Sequence, residues 1–167
     1  MTSTSLIRGS SVTSSFADRY HFAMEISGET GTFTISRIVA APVERVWEAY
    51  MTPEQFVQFW APVMVEIPLD SVVIEPRVGG RFECTMIVNG EANHNAGTFV
   101  EFVENSHFRF GEPAFSEGFS SIMAFTSVEG GTQIDVEQVG IPVEFLGGAN
   151  EGFTSVFDQL EALLAKG

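Results

Sequence analysis

From residue 20 the chain alternates: Tyr20, Phe22, Met24 and Ile26 are separated by His21, Ala23 and Glu25, the period of a half-buried strand. GETG at 28–31 supplies a turn, and TFTISRIVA reads as the second strand of a hairpin. Its inward phase is open, because Phe33, Ile35 and Val39 compete with Ile38. The period then changes. In APVERVWEAYMTPEQFVQFWAP, Pro42 suits a first helical turn, and Val43, Val46, Trp47 and Tyr50 fall at i, i+3, i+4 and i+7 on one stripe. Thr52 is placed to cap a second start with Pro53 at its first position, while Phe56, Phe59 and Trp60 form a second stripe that Pro62 ends. Two short helices follow one another, with these aromatics as core and Trp60 at the rim of any pocket.

From about 64 to 140 the pattern is β throughout, broken at Gly79-Gly80, Asn89-Gly90, Glu104-Asn105, Gly111 with Pro113, and Gly130-Gly131. Five or six strands fit between these breaks. The last segment, VEFLGGANEGFTSVFDQLEALLAKG, returns to helical period: Phe153, Val156, Phe157, Leu160, Leu163 and Leu164 share one face, and the glycines of LGGANEG read as the approach to the helix. The fold class is therefore α+β. A curved antiparallel sheet of about six or seven strands wraps a long C-terminal helix, with two short helices after the first core strand.

Alternation also assigns faces. Phe82, Cys84, Met86 and Val88 should look at the helix, as should Phe108 and Phe110, then Phe119, Ser121, Met123 and Phe125, then Ile134, Val136 and Gln138. The strand around Thr98, Phe99, Val100 and Phe102 is apolar on both faces and stays unassigned.

Composition narrows the class. With 44% hydrophobic and 18% charged residues, the 167-residue chain has a core and fits one domain, 20–167. Residues 1–19, rich in Ser and Thr, read as a disordered tail, with a transit peptide as the weaker alternative. A formal net charge of -14, one lysine (Lys166) and scattered arginines exclude nucleic acid and anionic lipid as partners. Solubility explains this charge more simply than an acidic docking surface does. Cys84, the single cysteine, reads as a buried, inert thiol in a reducing compartment. No apolar run spans a bilayer, and the expected location is cytoplasmic.

Four stretches carry a resemblance. APVERVWEAYMTPEQFVQFWAP, VGGRFECTM, GTFVEFVENSHFRF and EGFTSVFDQLEALL together are similar, over about residues 32–165, to the single-domain proteins related to the C-terminal domain of the Hsp90 ATPase activator Aha1, within the START and Bet v 1-like superfamily. Phe153 stands where many members carry Trp. The resemblance implies the helix-grip fold, and a superfamily that includes lipid and hormone binders, cyclases, aromatases and co-chaperone domains. Fold alone does not choose among them.

The expected ligand-binding set is Trp60, Phe82, Cys84, Met86, Phe108, Phe110, Glu112, Phe119, Ser121, Met123, Phe125, Gln138, Phe153 and Phe157. A mostly apolar wall with few polar groups suits a small hydrophobic or aromatic ligand, whose binding is the leading function, with a stress link as an accompanying expectation. Sixteen phenylalanines can equally make a solid core. A protein-interaction module of the Hsp90 co-chaperone kind is the alternative, using the acidic surface or the far sheet face. A cyclase-like enzyme based on Glu112 or His94 is the third. His21, His94, His107 and Cys84 have no metal-ligand spacing, and no phosphate-binding, dinucleotide or nucleophile motif occurs, so neither metal nor cofactor is expected.

Overall fold

A computed structural model describes residues 29–111 and 118–166. The expected tail, the Tyr20–Ile26 strand and Glu112 lie outside the described residues. In chain order the elements are β1 (Thr30–Val39), α1 (Val43–Met51), α2 (Pro53–Phe56), a 3-10 turn (Leu69–Ser71), β2 (Val73–Ile74), β3 (Arg81–Val88), β4 (Glu91–Val103), β5 (His107–Gly111), β6 (Ser120–Val128), β7 (Gly131–Pro142) and α3 (Val143–Ala165). The strands form one antiparallel sheet of order β1-β7-β6-β5-β4-β3-β2. This is the expected helix-grip architecture.

Turn chemistry sets the hairpins. Asn89 and Gly90 both take positive φ, 53° and 83°, and close the two-residue β3–β4 turn whose twist matches the flanking strands. Gly131 has φ 146°, and a Cβ there would lie 1.9 Å from the Val39 carbonyl oxygen, so only glycine lets β7 start against the end of β1.

The short helices differ in detail from the expectation. Pro42 is the residue before α1 rather than part of its first turn, and its carbonyl accepts from the N–H groups of Arg45 and Val46 at 3.0 and 3.1 Å. Thr52 makes no side-chain cap; its carbonyl instead accepts from Gln55 and Phe56. One turn of α2 then passes into looser turns, and Phe56 and Phe59 are buried while Trp60 is half-buried. On α1, Val46, Trp47 and Tyr50 are buried as the stripe requires.

α3 corrects a boundary. It begins at Val143, so LGGANEG lies inside the helix, with Gly148 and Gly152 both on its buried side. Glycine costs about 1 kcal/mol in a helix interior, but packing of the long apolar face outweighs that penalty.

Two strands acquire phases that local pattern left open. On β1, Phe33 and Val39 are buried and Ile38 is 52% exposed, which sets the odd positions, Arg37 included, inward. On β4, Phe99 pairs with Phe110 and Phe102 with Phe108, although three positions separate them. Val100 and Glu101 together oppose Arg109 in a bulge, which turns Val100 outward and returns Phe102 to the inner face.

Candidate ligand site

Directly opposed residues in an antiparallel sheet share a face, so the pairing register arranges the inner surface in rows. One row runs Phe102, Phe108, Met123, Val136 and Ile35 across β4, β5, β6, β7 and β1. It is wholly apolar. α1 lies over it, with Trp47 making edge contacts to Phe102, Phe108 and Phe125 at 5.3, 5.9 and 5.5 Å. Tyr50 adds rings of Phe125 and Phe59 at 5.1 and 4.9 Å. This part of the molecule is a filled aromatic core.

The neighbouring row runs Phe99, Phe110, Ser121, Gln138 and Phe33 across the same strands. Its centre is polar. Gln138 Nε2 donates to Ser121 Oγ at 3.1 Å, with Ser121 fully buried and Gln138 half-buried. Among the described residues the Gln138 carbonyl and the Ser121 hydroxyl proton have no further partner, leaving one acceptor and one donor side by side.

Helical elements cover the flanks of this row. Trp60 stacks on Phe56 at 4.8 Å and stands 5.4 and 6.0 Å from Phe82 and Phe110. On the other side Phe153 of α3 stacks on Phe33 at 5.6 Å. The two half-buried aromatics thus bracket the polar pair. Two polar ties fix the loop after α2 to α3: Gln159 Nε2 donates to the Ala61 carbonyl at 2.7 Å, and the Val63 N–H donates to Ser155 Oγ at 3.2 Å.

The sequence-selected residues therefore divide. Trp60, Phe82, Phe110, Ser121, Gln138 and Phe153 surround the polar row, and Phe119 lies 6.2 Å from Phe110 at the same end. Phe108, Met123 and Phe125 belong to or adjoin the row beneath α1. Cys84 and Met86, opposite Asn95 and Asn93, run away toward the β3–β4 turn. Burial pushes the Cys84 thiol up to about 12, so it stays neutral and inert. Phe157 faces Arg37 rather than the polar pair, the guanidinium lying 5.3 Å from its ring centre. Phe33, which continues the polar row, and Arg37 are absent from the selection. Only the unresolved phase of β1 hinted at them.

His94 is placed elsewhere. It lies within β4, on the outer face opposite Thr85. Its Nδ1 is 2.9 Å from Thr85 Oγ1 and its Nε2 is 3.3 Å from Glu83, with the tautomer set by these partners. Arg81 grips the same carboxylate through Nε and Nη2 at 2.9 and 3.1 Å, and this hydrogen bonding, helped by His94, holds Glu83 below the usual carboxylate range against its partial desolvation. His94 faces away from the inner row.

An open groove of about 570 Å³ runs along the outer side of α3, lined by Val63, Asn150, Thr154, Ser155, Asp158 and Gln159 among others. It shares no residue with the selected set. Among the described residues, no His, Cys, Asp and Glu cluster has metal-binding geometry, and no helix is long and apolar enough to cross a membrane.

Solved structures share this fold. A Nitrosomonas europaea protein is 22% identical with TM-score 0.72, covering 84% of this chain and 97% of its own. A Mycobacterium smegmatis protein is 25% identical with TM-score 0.67, covering 83% and 98%, and a Silicibacter pomeroyi protein of the AHSA1 name is 19% identical with TM-score 0.65, covering 80% and 97%. No curated protein matches. The family described as Activator of Hsp90 ATPase homolog 1-like protein matches residues 40–165, which spans both short helices, the sheet from β2 to β7 and nearly all of α3. The chain belongs to the Activator of Hsp90 ATPase homolog 1-like family.

Proposed function

We propose that this domain binds a small neutral, largely aromatic molecule between the sheet and α3, over the row Phe110, Ser121, Gln138 and Phe33. The family fold supports a ligand-binding type of domain in general. The observation that carries the specific reading is the Ser121–Gln138 pair, a donor and an acceptor on an otherwise apolar surface, bracketed by the half-buried Trp60 and Phe153. Buried polar groups in an aromatic core cost stability unless something meets them, and a few polar groups on an apolar wall fix the orientation of a bound molecule.

The test uses Trp60 as reporter in a Trp47→Phe background, titrated with 1-naphthol, alongside native mass spectrometry of the freshly purified protein. Saturable quenching that weakens about tenfold on Ser121→Ala or Gln138→Leu supports the reading, in line with the loss of one buried hydrogen bond. Absence of quenching together with absence of any co-purified mass overturns it.

A further inference from the structure

The outer side of α3 presents a second surface, away from the inner sheet face. Positions 150, 151, 154, 155, 158, 159 and 162 fall on one stripe of the helix, which over about 18 Å carries only small or polar side chains. The opposite wall is Val63 of the loop after α2, 76% exposed and followed by Met64 at 59%. Between them lies the open groove of about 570 Å³. Its two walls are tied together, because Gln159 donates to the Ala61 carbonyl and the Val63 N–H donates to Ser155 Oγ. The groove is therefore preformed, which lowers the ordering cost of filling it.

Charge narrows the occupant. The lining carries two carboxylates, Glu151 and Asp158, and no basic side chain. Seven positions apart on the same stripe, they stand about 10 Å apart along the helix axis. Asp158 shares Arg37 with Glu161, so two carboxylates meet one guanidinium and the surplus stays negative. Glu151 is exposed and has no cationic partner among the described residues. An apolar wall beside a negative floor suits a partner that presents apolar and cationic side chains together. A second copy fits poorly, since each copy carries a net charge of -14 and a single lysine, and nucleic acid and anionic lipid are repelled by the same field.

We propose that this groove docks a basic amphipathic helix of another protein. Its apolar side chains pack on Val63 and Ala162, while its lysines or arginines meet Glu151 and Asp158. The groove shares no residue with the row of Ser121 and Gln138, so the two sites stand or fall separately.

The probe is a fluorescein-labelled amphipathic peptide of about 14 residues, leucine on one face and lysine on the other, followed by anisotropy. Val63→Ser should weaken its binding about tenfold and Glu151→Lys about fivefold. Glu137→Lys makes the same change in net charge on the outer sheet face and should weaken binding less than about twofold. A peptide with glutamine in place of leucine should bind at least about tenfold less tightly. All three replaced side chains are exposed, so circular dichroism of the variants should match wild type. Absence of binding, or indifference to Val63→Ser, overturns the proposal. Equal weakening by Glu151→Lys and Glu137→Lys also overturns it, by showing attraction to net charge alone. A wild-type dimer in sedimentation that Val63→Ser dissociates overturns it in favour of a second copy.

Discussion

The guanidinium of Arg37 lies 5.3 Å from the centre of the Phe157 ring, joining the inner face of β1 to the buried face of α3. The same guanidinium reaches past that ring to Asp158 and Glu161 on the helix, both at 3.2 Å. A charged residue on the inner face is acceptable here because its stem packs in the apolar layer while its head emerges between carboxylates.

The exposures decide how that clamp divides. Asp158 and Glu161 side chains are 65% and 42% exposed, so each ion pair is screened and worth little. Asp158→Asn and Glu161→Gln should each cost less than about 0.5 kcal/mol. Arg37→Ala, which also removes the ring contact and the buried stem, should cost about 1–2 kcal/mol. Urea unfolding in low and high salt checks this. A strong salt dependence of the Arg37→Ala difference would show that the ion pairs dominate instead.

Alkaline pH should weaken the fold through two buried acids. Cys84 is raised by burial from 9.0 to about 12, and Tyr50 is raised in the same direction by the same cause. A group whose folded pKa lies above its unfolded value contributes stability that is full below the unfolded pKa and is lost as pH rises toward the folded one. For Cys84 that window is pH 9 to 12. Urea midpoints should therefore fall above pH 9, and the fall should be shallower in Cys84→Ala and Tyr50→Phe. At pH 8 the thiol should react with a disulfide reagent only as fast as the protein opens.

The bulge in β4 yields a contrast between two deletions. Removing Val100 leaves Phe99 and Phe102 two positions apart, still on one face and in register with Phe110 and Phe108. That variant should fold, at a cost of about 1–2 kcal/mol for the lost local bend and contacts. Removing Ile122 from the regular strand β6 moves Met123 and Phe125 to the outer face, because a one-residue slip inverts every following side chain. It should abolish folding. Circular dichroism and solubility of the two proteins check the pair, and equal behaviour would contradict the bulge register.

Several features were legible from the residues themselves. The alternation of RFECTMIV and TQIDVEQV assigned inner faces that burial matches, and the stripe of α1 buried Val46, Trp47 and Tyr50 as drawn. Asn89-Gly90 marked its hairpin because two adjacent positive φ values need those residue types. The start of α3 was misread at LGGANEG because glycine lowers local helix propensity, and only contact with the sheet offsets that.

Local chemistry acts over a few residues, so the sequence by itself determined which segments are strands and helices, which side of most strands is apolar, and where the chain turns. Tertiary structure decided the rest. Period two assigns a face to each strand but leaves undetermined which residues of distant strands stand opposite one another, and a bulge such as that at Val100 shifts the count without altering composition. That register sets Ser121 beside Gln138 in one row, a relationship between residues 17 positions apart that no local pattern encodes.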